Sequence, residues 1–401
     1  MANHDGHLVL SNLRDHLARH DKPIAFLFGA GTSSAVRVPD QAGGDKPAVP
    51  AVGALTVQCA ADVAKLGGKF KTCWETVAAN CKAAGKTENV EDMLSQIRLM
   101  LRAAGASDVL GGLTQSELTT LEEAVRTTIA KQVTPDLATL PEQFAHRALA
   151  RWIAKTTRRQ ALEIFSLNYD VLVEHAMELE RVPLFDGFVG AYQPYFYPDS
   201  LRRADVAPGP QWTRLWKMHG SVTWRRVEHD NRSRVVRGMP DPKGVMIYPS
   251  FDKYDESRQQ PYSAMADRLT RFLEQDDALL VTAGFSFSDE HINNTIFTAL
   301  ESRPRTHVYA IQFSDAEEDG HLARCAKRRP NMVVVGPRTG IVGGVSAQWA
   351  AVAPPAHLSA AFGIVEEPES GDSSGESVSI GAMKIGDFAS LCGFLEGMVP
   401  Q

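Results

Sequence analysis

The segment IAFLFGAGTS, residues 24–33, decides the fold class of this chain. Its first five residues are all apolar, which is typical of a strand that is buried on both faces of a parallel sheet. Gly29 and Gly31 follow directly, and glycines at a strand-to-helix turn allow a ligand phosphate to approach the backbone. Ser34 stands where the third glycine of the dinucleotide fingerprint would be, so a tight turn without a ligand explains this segment equally well.

Six further segments have the apolar character of strands, and helical patterns fall between several of them. They are residues 161–168, 215–219, 245–248, 278–284, 307–313 and 332–336. Strands that alternate with helices indicate an α/β fold with a mostly parallel, Rossmann-like sheet. We expect residues 1–54 and 160–350 to form this body.

A helical insertion is predicted at residues 55–159, between the first and second strands. Its clearest helix follows the capping residue Asn89 and has one apolar face, formed by Val90, Met93, Leu94, Ile97, Met100 and Leu101. Gly105 and the pair Gly111 and Gly112 interrupt the helical pattern. We expect no strands in this block.

The C-terminal part, residues 351–401, combines a linker and a tail. Residues 366–377 are acidic and rich in Ser and Gly, which is typical of a flexible linker. The apolar residues after it, from Ile380 to Met398, have roughly helical spacing. Such a tail either packs back on the body or serves as a docking or oligomerisation segment for another chain.

The composition is that of an ordinary soluble globular protein. The chain has 401 residues, of which 44% are hydrophobic and 22% charged, and its formal net charge is -6. Mild acidity gives no general attraction to nucleic acid or anionic membranes, so we expect no direct nucleic-acid partner. We expect neither a signal peptide nor a membrane span, and therefore a cytoplasmic location.

The five cysteines indicate reduced thiols rather than a disulfide framework or a metal site. They are Cys59, Cys73, Cys81, Cys325 and Cys392. Their number is odd and no two have CxxC spacing, so we predict neither zinc nor another metal.

Polar residues also follow three of the later strands. SLNYD places Asn168 and Asp170 at a strand end, KMHGS places His219 at the next, and AGFSFSDEHIN places Gly284 and Ser286 at another. Ligands bind at the carboxyl ends of strands in open α/β sheets, and a histidine there can transfer a proton or polarise a ribose hydroxyl. Helix capping explains Asn168 or Asp170 as well, and it explains Asp289 of the last motif.

The four motifs, in this order, resemble the sirtuin family. GAGTS resembles the sirtuin GAGxS phosphate loop, and the Val-Pro-Asp run ending at Asp40 is similar to its IPDFR segment without the Phe-Arg continuation. SLNYD resembles TQNID, MHGS resembles the segment with the catalytic histidine, and GFSFSDEHI resembles the late ribose-binding segment. The resemblance implies a sirtuin-like fold with NAD+ as substrate. The implied binding residues are Gly29, Ala30, Gly31, Thr32, Ser33, Asp40, Gly284, Phe285 and Ser286, and the implied catalytic residues are Asn168, Asp170 and His219.

The departures from the family pattern indicate which activity to expect. Protein-deacylating sirtuins carry a four-cysteine zinc module, which these cysteines cannot supply, and a helical insertion stands after GAGTS instead. The chain therefore resembles the prokaryotic antiphage-defence branch, whose members hydrolyse NAD+ to nicotinamide and ADP-ribose. This implies a homo-oligomer that assembles with a HerA-type hexameric ATPase; related chains work with a short Argonaute. The alternatives are a regulatory module that binds NAD+ or ADP-ribose without turnover, and a protein deacylase.

Overall fold

The computed structural model of the chain describes residues 3–40, 43–85, 88–203, 205–229, 232–241, 260–368 and 377–399. The α-helices in these ranges are α1 (Gly6–Ala18), α2 (Ala30–Ser34), α3 (Val52–Lys65), α4 (Gly68–Ala83), α5 (Val90–Ala103), α6 (Gln115–Gln132), α7 (Ala145–Ala154), α8 (Leu172–Leu179), α9 (Asp199–Arg202), α10 (Tyr262–Leu273), α11 (Glu290–Ser302), α12 (His321–Lys327) and α13 (Phe388–Glu396). None of these helices combines the length and the apolar character that a bilayer span requires.

The β-strands in the same ranges are β1 (Ile24–Phe28), β2 (Arg37–Pro39), β3 (Asp45–Pro47), β4 (Val109–Leu110), β5 (Leu113–Thr114), β6 (Glu163–Ser166), β7 (Leu184–Phe185), β8 (Phe188–Val189), β9 (Tyr195–Phe196), β10 (Thr213–Lys217), β11 (Trp224–His229), β12 (Arg232–Arg237), β13 (Leu279–Ala283), β14 (His307–Ile311), β15 (Met332–Val335), β16 (Thr339–Val342), β17 (Val345–Gln348), β18 (Phe362–Pro368) and β19 (Ser377–Met383). The strand predicted at residues 245–248 lies outside the described residues.

A nine-stranded sheet forms the centre of the described structure. Its strand order is β17-β16-β15-β14-β13-β1-β6-β10-β7. The strands from β15 to β7 in this order pair in parallel, whereas β16 and β17 are antiparallel. The predicted mostly parallel, Rossmann-like α/β fold is therefore confirmed.

The side chains of β1 enter two different apolar cores. Ile24, Phe26 and Phe28 belong to the core that β1 shares with α1, α7 and α13, and Phe28 is fully buried there. Ala25 and Leu27 belong to the core on the other face, which contains α10 and α11. Successive side chains of a strand point to opposite faces, so a central strand must be apolar throughout. Each phenylalanine buried in this way stabilises the fold by about 2 kcal/mol.

Helices α3 to α6 form a third apolar core beside the sheet. Its fully buried members include Cys59, Leu94 and Leu121, and it extends to Leu172 and Ala176 of α8. The helical region therefore packs directly on the body, close to the segment that follows β6. Helix α7, in contrast, packs under the sheet in the core of β1.

The glycine pair in this region has a role different from the one expected. Gly111 and Gly112 have φ angles of +59° and +79° and form the turn of the hairpin β4–β5. Positive φ at both central residues is the requirement of a tight two-residue hairpin turn, which glycine meets without steric cost. The expectation of no strands in the insertion was therefore wrong at this point.

The C-terminal tail packs back on the body of the same chain. Helix α13 lies against α7, where Leu391 and Leu395 are fully buried, and Glu396 accepts a hydrogen bond from Arg151 at 2.6 Å. Ile380 lies on strand β19, which pairs with β18, rather than on a helix as its spacing indicated. Residues 369–376 of the predicted linker lie outside the described residues.

Candidate active site

Four neighbouring strands of the sheet end at one cavity. Strands β13, β1, β6 and β10 are adjacent and parallel, so Phe28 pairs with Ala283 on one side and with Ser166 on the other. The chain leaves β1 toward β6 and later returns to the opposite side of β1 at β13. Ligands bind at such a topological switch point in open α/β sheets. The cavity has a volume of about 740 Å³ and is lined by all four strand-end loops and by the helical insertion.

Three glycines allow two of these loops to touch through their backbones. A Cβ atom on Gly29 would lie 2.4 Å from the carbonyl oxygen of Gly284, and one on Gly31 would lie 2.6 Å from its Cα. Gly284 has a φ of +62°, and its carbonyl accepts a hydrogen bond from the Gly31 N–H at 3.0 Å. Together with Ala30 and Ser33, these glycines line the cavity. The absence of side chains therefore allows the two loops to pack backbone against backbone at the wall of the cavity.

Two of the residues predicted to bind the ligand do not line the cavity. Thr32 is fully buried, and its hydroxyl donates a hydrogen bond to the Gly29 carbonyl at 2.9 Å, so this side chain holds the loop. Asp40 lies at the end of the hairpin β2–β3, where its N–H bonds to the Gly44 carbonyl and its carboxylate lies 3.9 Å from Lys46. The structure therefore separates Asp40 from the other predicted residues.

Asn168 connects the loop after β6 to the glycine loop. Its side-chain nitrogen donates to the Gly29 carbonyl at 3.0 Å, to the Thr32 hydroxyl at 3.0 Å and to the Ser33 hydroxyl at 2.7 Å. The amide oxygen of the same side chain is an acceptor, which suits a water molecule or a ribose hydroxyl. Asn168 lines the cavity, as its predicted catalytic role requires.

Asp170 combines a capping role with a contact to the glycine loop. One carboxylate oxygen accepts the N–H of Leu172 at 3.0 Å at the start of α8, and the other accepts the hydroxyl of Ser33 at 2.6 Å. Asp170 lines the cavity but is only 3% exposed. This geometry makes it a support for Ser33 and for the start of α8.

His219 lies two residues after the end of β10, and its imidazole lies next to a carboxylate. Its Nε2 atom lies 3.1 Å from Oδ2 of Asp289, the residue that caps α11. Gly220, with a φ of +92°, turns the chain directly after the histidine. Both His219 and Asp289 line the cavity. The imidazole is therefore oriented by an anion and lies within the same cavity as Asn168.

The loop after β13 presents serines to the cavity and apolar rings to the core. Phe285 is buried, and its ring packs on that of Phe287 with 4.6 Å between the centroids. Ser286 is exposed, and its hydroxyl lies 2.9 Å from that of Ser288. Gly284, Phe285, Ser286 and Ser288 all line the cavity. A hydroxyl pair beside the glycine contact suits the binding of a polyhydroxylated ligand.

Residues 162–330 match the family model of the SIR2-like domain. The match supports a sirtuin-like family and an activity related to NAD. It includes three of the four strand-end loops, with Asn168, His219 and Gly284, whereas the glycine loop precedes it. The comparison with curated proteins finds no match.

The cavity of the SIR2-like region is also lined by residues that sequence reasoning did not assign to it. Residues 49–53 and Leu55 approach from the connection into α3, and Asn89, Glu91 and Asp92 approach from the start of α5. Asn89 was predicted as a helix cap, and its side chain indeed accepts the N–H of Asp92 at 2.9 Å. Nothing in the spacing indicated that this helix end faces the glycine loop, because that contact depends on tertiary packing.

A buried lysine holds the loop that contains Asp170. Lys217, at the end of β10, is 2% exposed; its Nζ donates to the Asp170 carbonyl and lies 3.5 Å from Glu174. Burial raises the pKa of Glu174, and the nearby Lys217 opposes this rise. His146 of α7 is also fully buried, and burial lowers its pKa to about 4, so it is neutral at physiological pH. Lys217 therefore holds the Asp170 carbonyl, and none of these three groups lines the cavity.

No metal site is found in the described ranges. Groups of three or more His, Cys, Asp or Glu side chains placed to hold a metal ion are absent there. Each cysteine is a free thiol, and burial raises the pKa of Cys59 to about 12. The expectation that no zinc is bound stays a prediction.

Proposed function

We propose that this protein is an NAD+ glycohydrolase, which converts NAD+ and water to nicotinamide, ADP-ribose and a proton. The observation that carries the proposal is the convergence of Asn168, His219 and the glycine contact of Gly29, Gly31 and Gly284 on one cavity. The match to the SIR2-like domain supports NAD+ as the substrate. The cavity volume of about 740 Å³ lies within the range of pockets that bury a ligand of this size.

The chemistry needs little acid catalysis but strict positioning. Cleavage of the nicotinamide–ribose bond passes through an oxocarbenium-like state, as glycoside hydrolysis does, and nicotinamide leaves as a neutral molecule. The backbone of Ala30 and Gly31 is exposed at the cavity and accommodates the pyrophosphate, while Ser33, whose hydroxyl donates to Asp170, holds the loop. Ser286 contacts the ribose on the adenine side.

Two side chains act at the reacting carbon in this proposal. The amide oxygen of Asn168 orients the attacking water or a ribose hydroxyl, because its nitrogen is already bonded to the glycine loop. His219 accepts the proton that the water loses, a role for which imidazole is suited near neutral pH. Asp170 keeps the Ser33 hydroxyl in place, and that hydroxyl also accepts from the Asn168 nitrogen.

Product analysis tests the reaction. Wild-type protein is incubated with NAD+, with and without an acetylated peptide, and nicotinamide and ADP-ribose are quantified by chromatography. The proposal expects equal amounts of both products, independent of the peptide. A strict requirement for the peptide would identify a deacylase instead.

One observation favours a second candidate, a binding module without turnover. The Asn168 nitrogen makes three hydrogen bonds within the protein, so this residue has a structural role whether or not it is catalytic. Calorimetric titration with NAD+ separates the two candidates. Binding without any nicotinamide release would favour the module, whereas binding with release supports the hydrolase.

The biological setting is proposed from the resemblance alone. We propose that hydrolysis depletes NAD+ in the prokaryotic cytoplasm during antiphage defence, in a homo-oligomer controlled by a HerA-type hexameric ATPase. Light scattering of the protein alone and with such an ATPase measures both associations. A plain monomer under both conditions would contradict this part of the proposal.

A further inference from the structure

We propose that Asp289 is a positioning residue, which orients His219 and stabilises its protonated form during NAD+ hydrolysis. This inference rests on the proposed function. Its structural basis is a carboxylate that divides its two oxygens between a helix end and the imidazole. Oδ1 accepts the N–H groups of His291 at 3.0 Å and Ile292 at 3.3 Å, while Oδ2 lies 3.1 Å from Nε2 of His219.

The carboxylate is held firmly on its own side. Its two backbone hydrogen bonds fix the position of Oδ1 at the start of α11, and the Asp289 carbonyl accepts the N–H of Asn293 at 2.9 Å. The Asn293 side chain in turn donates to the Phe287 carbonyl at 2.7 Å. This hydrogen bond connects α11 to the loop that precedes Asp289. Oδ2 therefore points to His219 from a rigid support.

The surroundings of the pair favour a strong interaction. The side chains of His219 and Asp289 are 13% and 8% exposed, so water screens them only in part. The other acidic groups that share the cavity are Glu91 and Asp92 of α5 and Asp170 before α8. Asp289 has a hydrogen bond to the imidazole.

The pair has a definite consequence for catalysis. When His219 takes the proton of the attacking water, its ring becomes a cation, and the adjacent carboxylate stabilises that cation. The same hydrogen bond fixes the ring plane and determines which nitrogen carries the first proton. Loss of the charge therefore lowers the rate of the chemical step, not the affinity for NAD+.

The test compares Asp289→Asn with Asp5→Asn. Asn keeps the capping oxygen in both variants, because Asp5 caps α1 through one oxygen to the N–H groups of His7 and Leu8 in the same way. We expect Asp289→Asn to lower kcat by about 10- to 100-fold with little change in KM. We also expect the acid limb of its pH–rate profile to move to lower pH. Asp5→Asn should keep the wild-type kcat and profile.

A merely structural role gives a different result. It would lower the melting temperature in both variants and leave the pH profile unchanged, and that outcome would overturn the proposal. Asp289→Ser is the second variant, since a serine hydroxyl can also cap α11 but cannot stabilise a cation. It should lose kcat as Asp289→Asn does.

An NMR titration keeps this inference separate from the proposed function. The imidazole signals of His219 are assigned by their absence in His219→Gln, and their titration is followed in wild type and Asp289→Asn. A midpoint at lower pH in the variant supports the pair even if NAD+ is not hydrolysed. An unchanged midpoint in a protein that hydrolyses NAD+ refutes the pair and leaves the proposed function standing.

Discussion

The two ends of the central sheet both carry clusters of titratable side chains, but the clusters are arranged differently. At the amino ends, Lys22 is fully buried; its Nζ lies 2.8 Å from Nδ1 of His16 and 3.0 Å from Oδ1 of Asp277. Burial lowers the pKa of Lys22 and lowers that of His16 to about 4. These groups bond to one another. At the carboxyl ends, His219 and Asn168 line a cavity instead.

The comparison shows that perturbed titratable groups alone do not locate a site. Buried clusters with shifted pKa values also serve stability. The carboxyl end differs because four loops meet there at the topological switch point and because glycines let two of these loops pack backbone against backbone beside a cavity. We therefore expect substitutions at the two ends to separate stability from NAD+ turnover.

The largest effect is expected from Gly284→Ala. A Cβ there would lie 2.4 Å from the backbone nitrogen of Thr32, and the residue would also be strained at a φ of +62°. We expect a loss of several kcal/mol in the free energy of unfolding, and no measurable turnover. Gly343→Ala is the control, because its φ of +58° is similar and no atom lies within 4 Å of its Cβ position. It should cost only about 1 kcal/mol in a urea titration; equal losses in the two variants would disprove the close contact.

The next effect is expected from the two buried lysines. Lys217→Met leaves the Glu174 carboxylate without this cation and should lower the free energy of unfolding by about 3–5 kcal/mol. Lys22→Met should cost less, because Arg19 still lies 3.0 Å from Asp277. The two variants should differ in activity. Lys217→Met releases the Asp170 carbonyl and should lower the turnover of the folded protein by about 10- to 100-fold. Lys22→Met should keep the turnover. A loss of activity in this variant would mean that the cluster at the amino ends also supports NAD+ turnover.

A smaller effect concerns the pH dependence of stability. His146 has a pKa of about 4 in the folded protein and an ordinary value of 6.5, so the unfolded chain binds the proton first as the pH falls. Its stabilising effect is complete above about pH 6.5 and is lost between there and about pH 4. His146→Leu should remove roughly 3 kcal/mol of this loss in urea titrations from pH 7 to pH 4. His16→Leu should also weaken the loss, because the pKa of His16 is lowered to about 4 as well. An unchanged pH dependence in His146→Leu would contradict the burial assigned to His146.

The smallest effect is expected from Glu91→Gln at the cavity wall. In the proposed complex with NAD+, its carboxylate would repel the pyrophosphate in the cavity by about 0.5 kcal/mol. The variant should therefore lower KM by about twofold and leave kcat unchanged. Glu290→Gln on the exposed first turn of α11 is the control, and it should leave KM unchanged. A higher KM in Glu91→Gln would mean that this wall does not face the phosphates.

The fold was largely predictable from the sequence because the apolar run of β1 identifies a central strand of a parallel sheet. Five apolar residues in a row indicate a strand buried on both faces, and the residues that follow four neighbouring strands converge once the strands are parallel. The placement of Asn168, His219 and Gly284 around one cavity follows from this rule. The strand at Ser377–Met383 was missed because a short apolar run has no unambiguous period.

The rest of the site depends on contacts between distant segments. Asp289 has the sequence signature of a helix cap, and nothing local indicates that its second oxygen meets an imidazole from β10, 70 residues earlier. The approach of the start of α5 to the glycine loop is likewise a product of packing in the third core. Thr32 matched a phosphate-loop pattern, but its hydroxyl bonds to its own loop.

The most direct test of the central claim is the rate of nicotinamide release from NAD+ by three proteins: wild type, His219→Gln and His16→Gln. Wild type and His16→Gln should release nicotinamide at similar rates, because His16 lies at the end of the sheet away from the cavity. His219→Gln should lose at least about 100-fold, the contribution of a general base, while its melting temperature stays unchanged. Equal release by wild type and His219→Gln would contradict the assignment of the carboxyl-end cavity as the site of NAD+ hydrolysis.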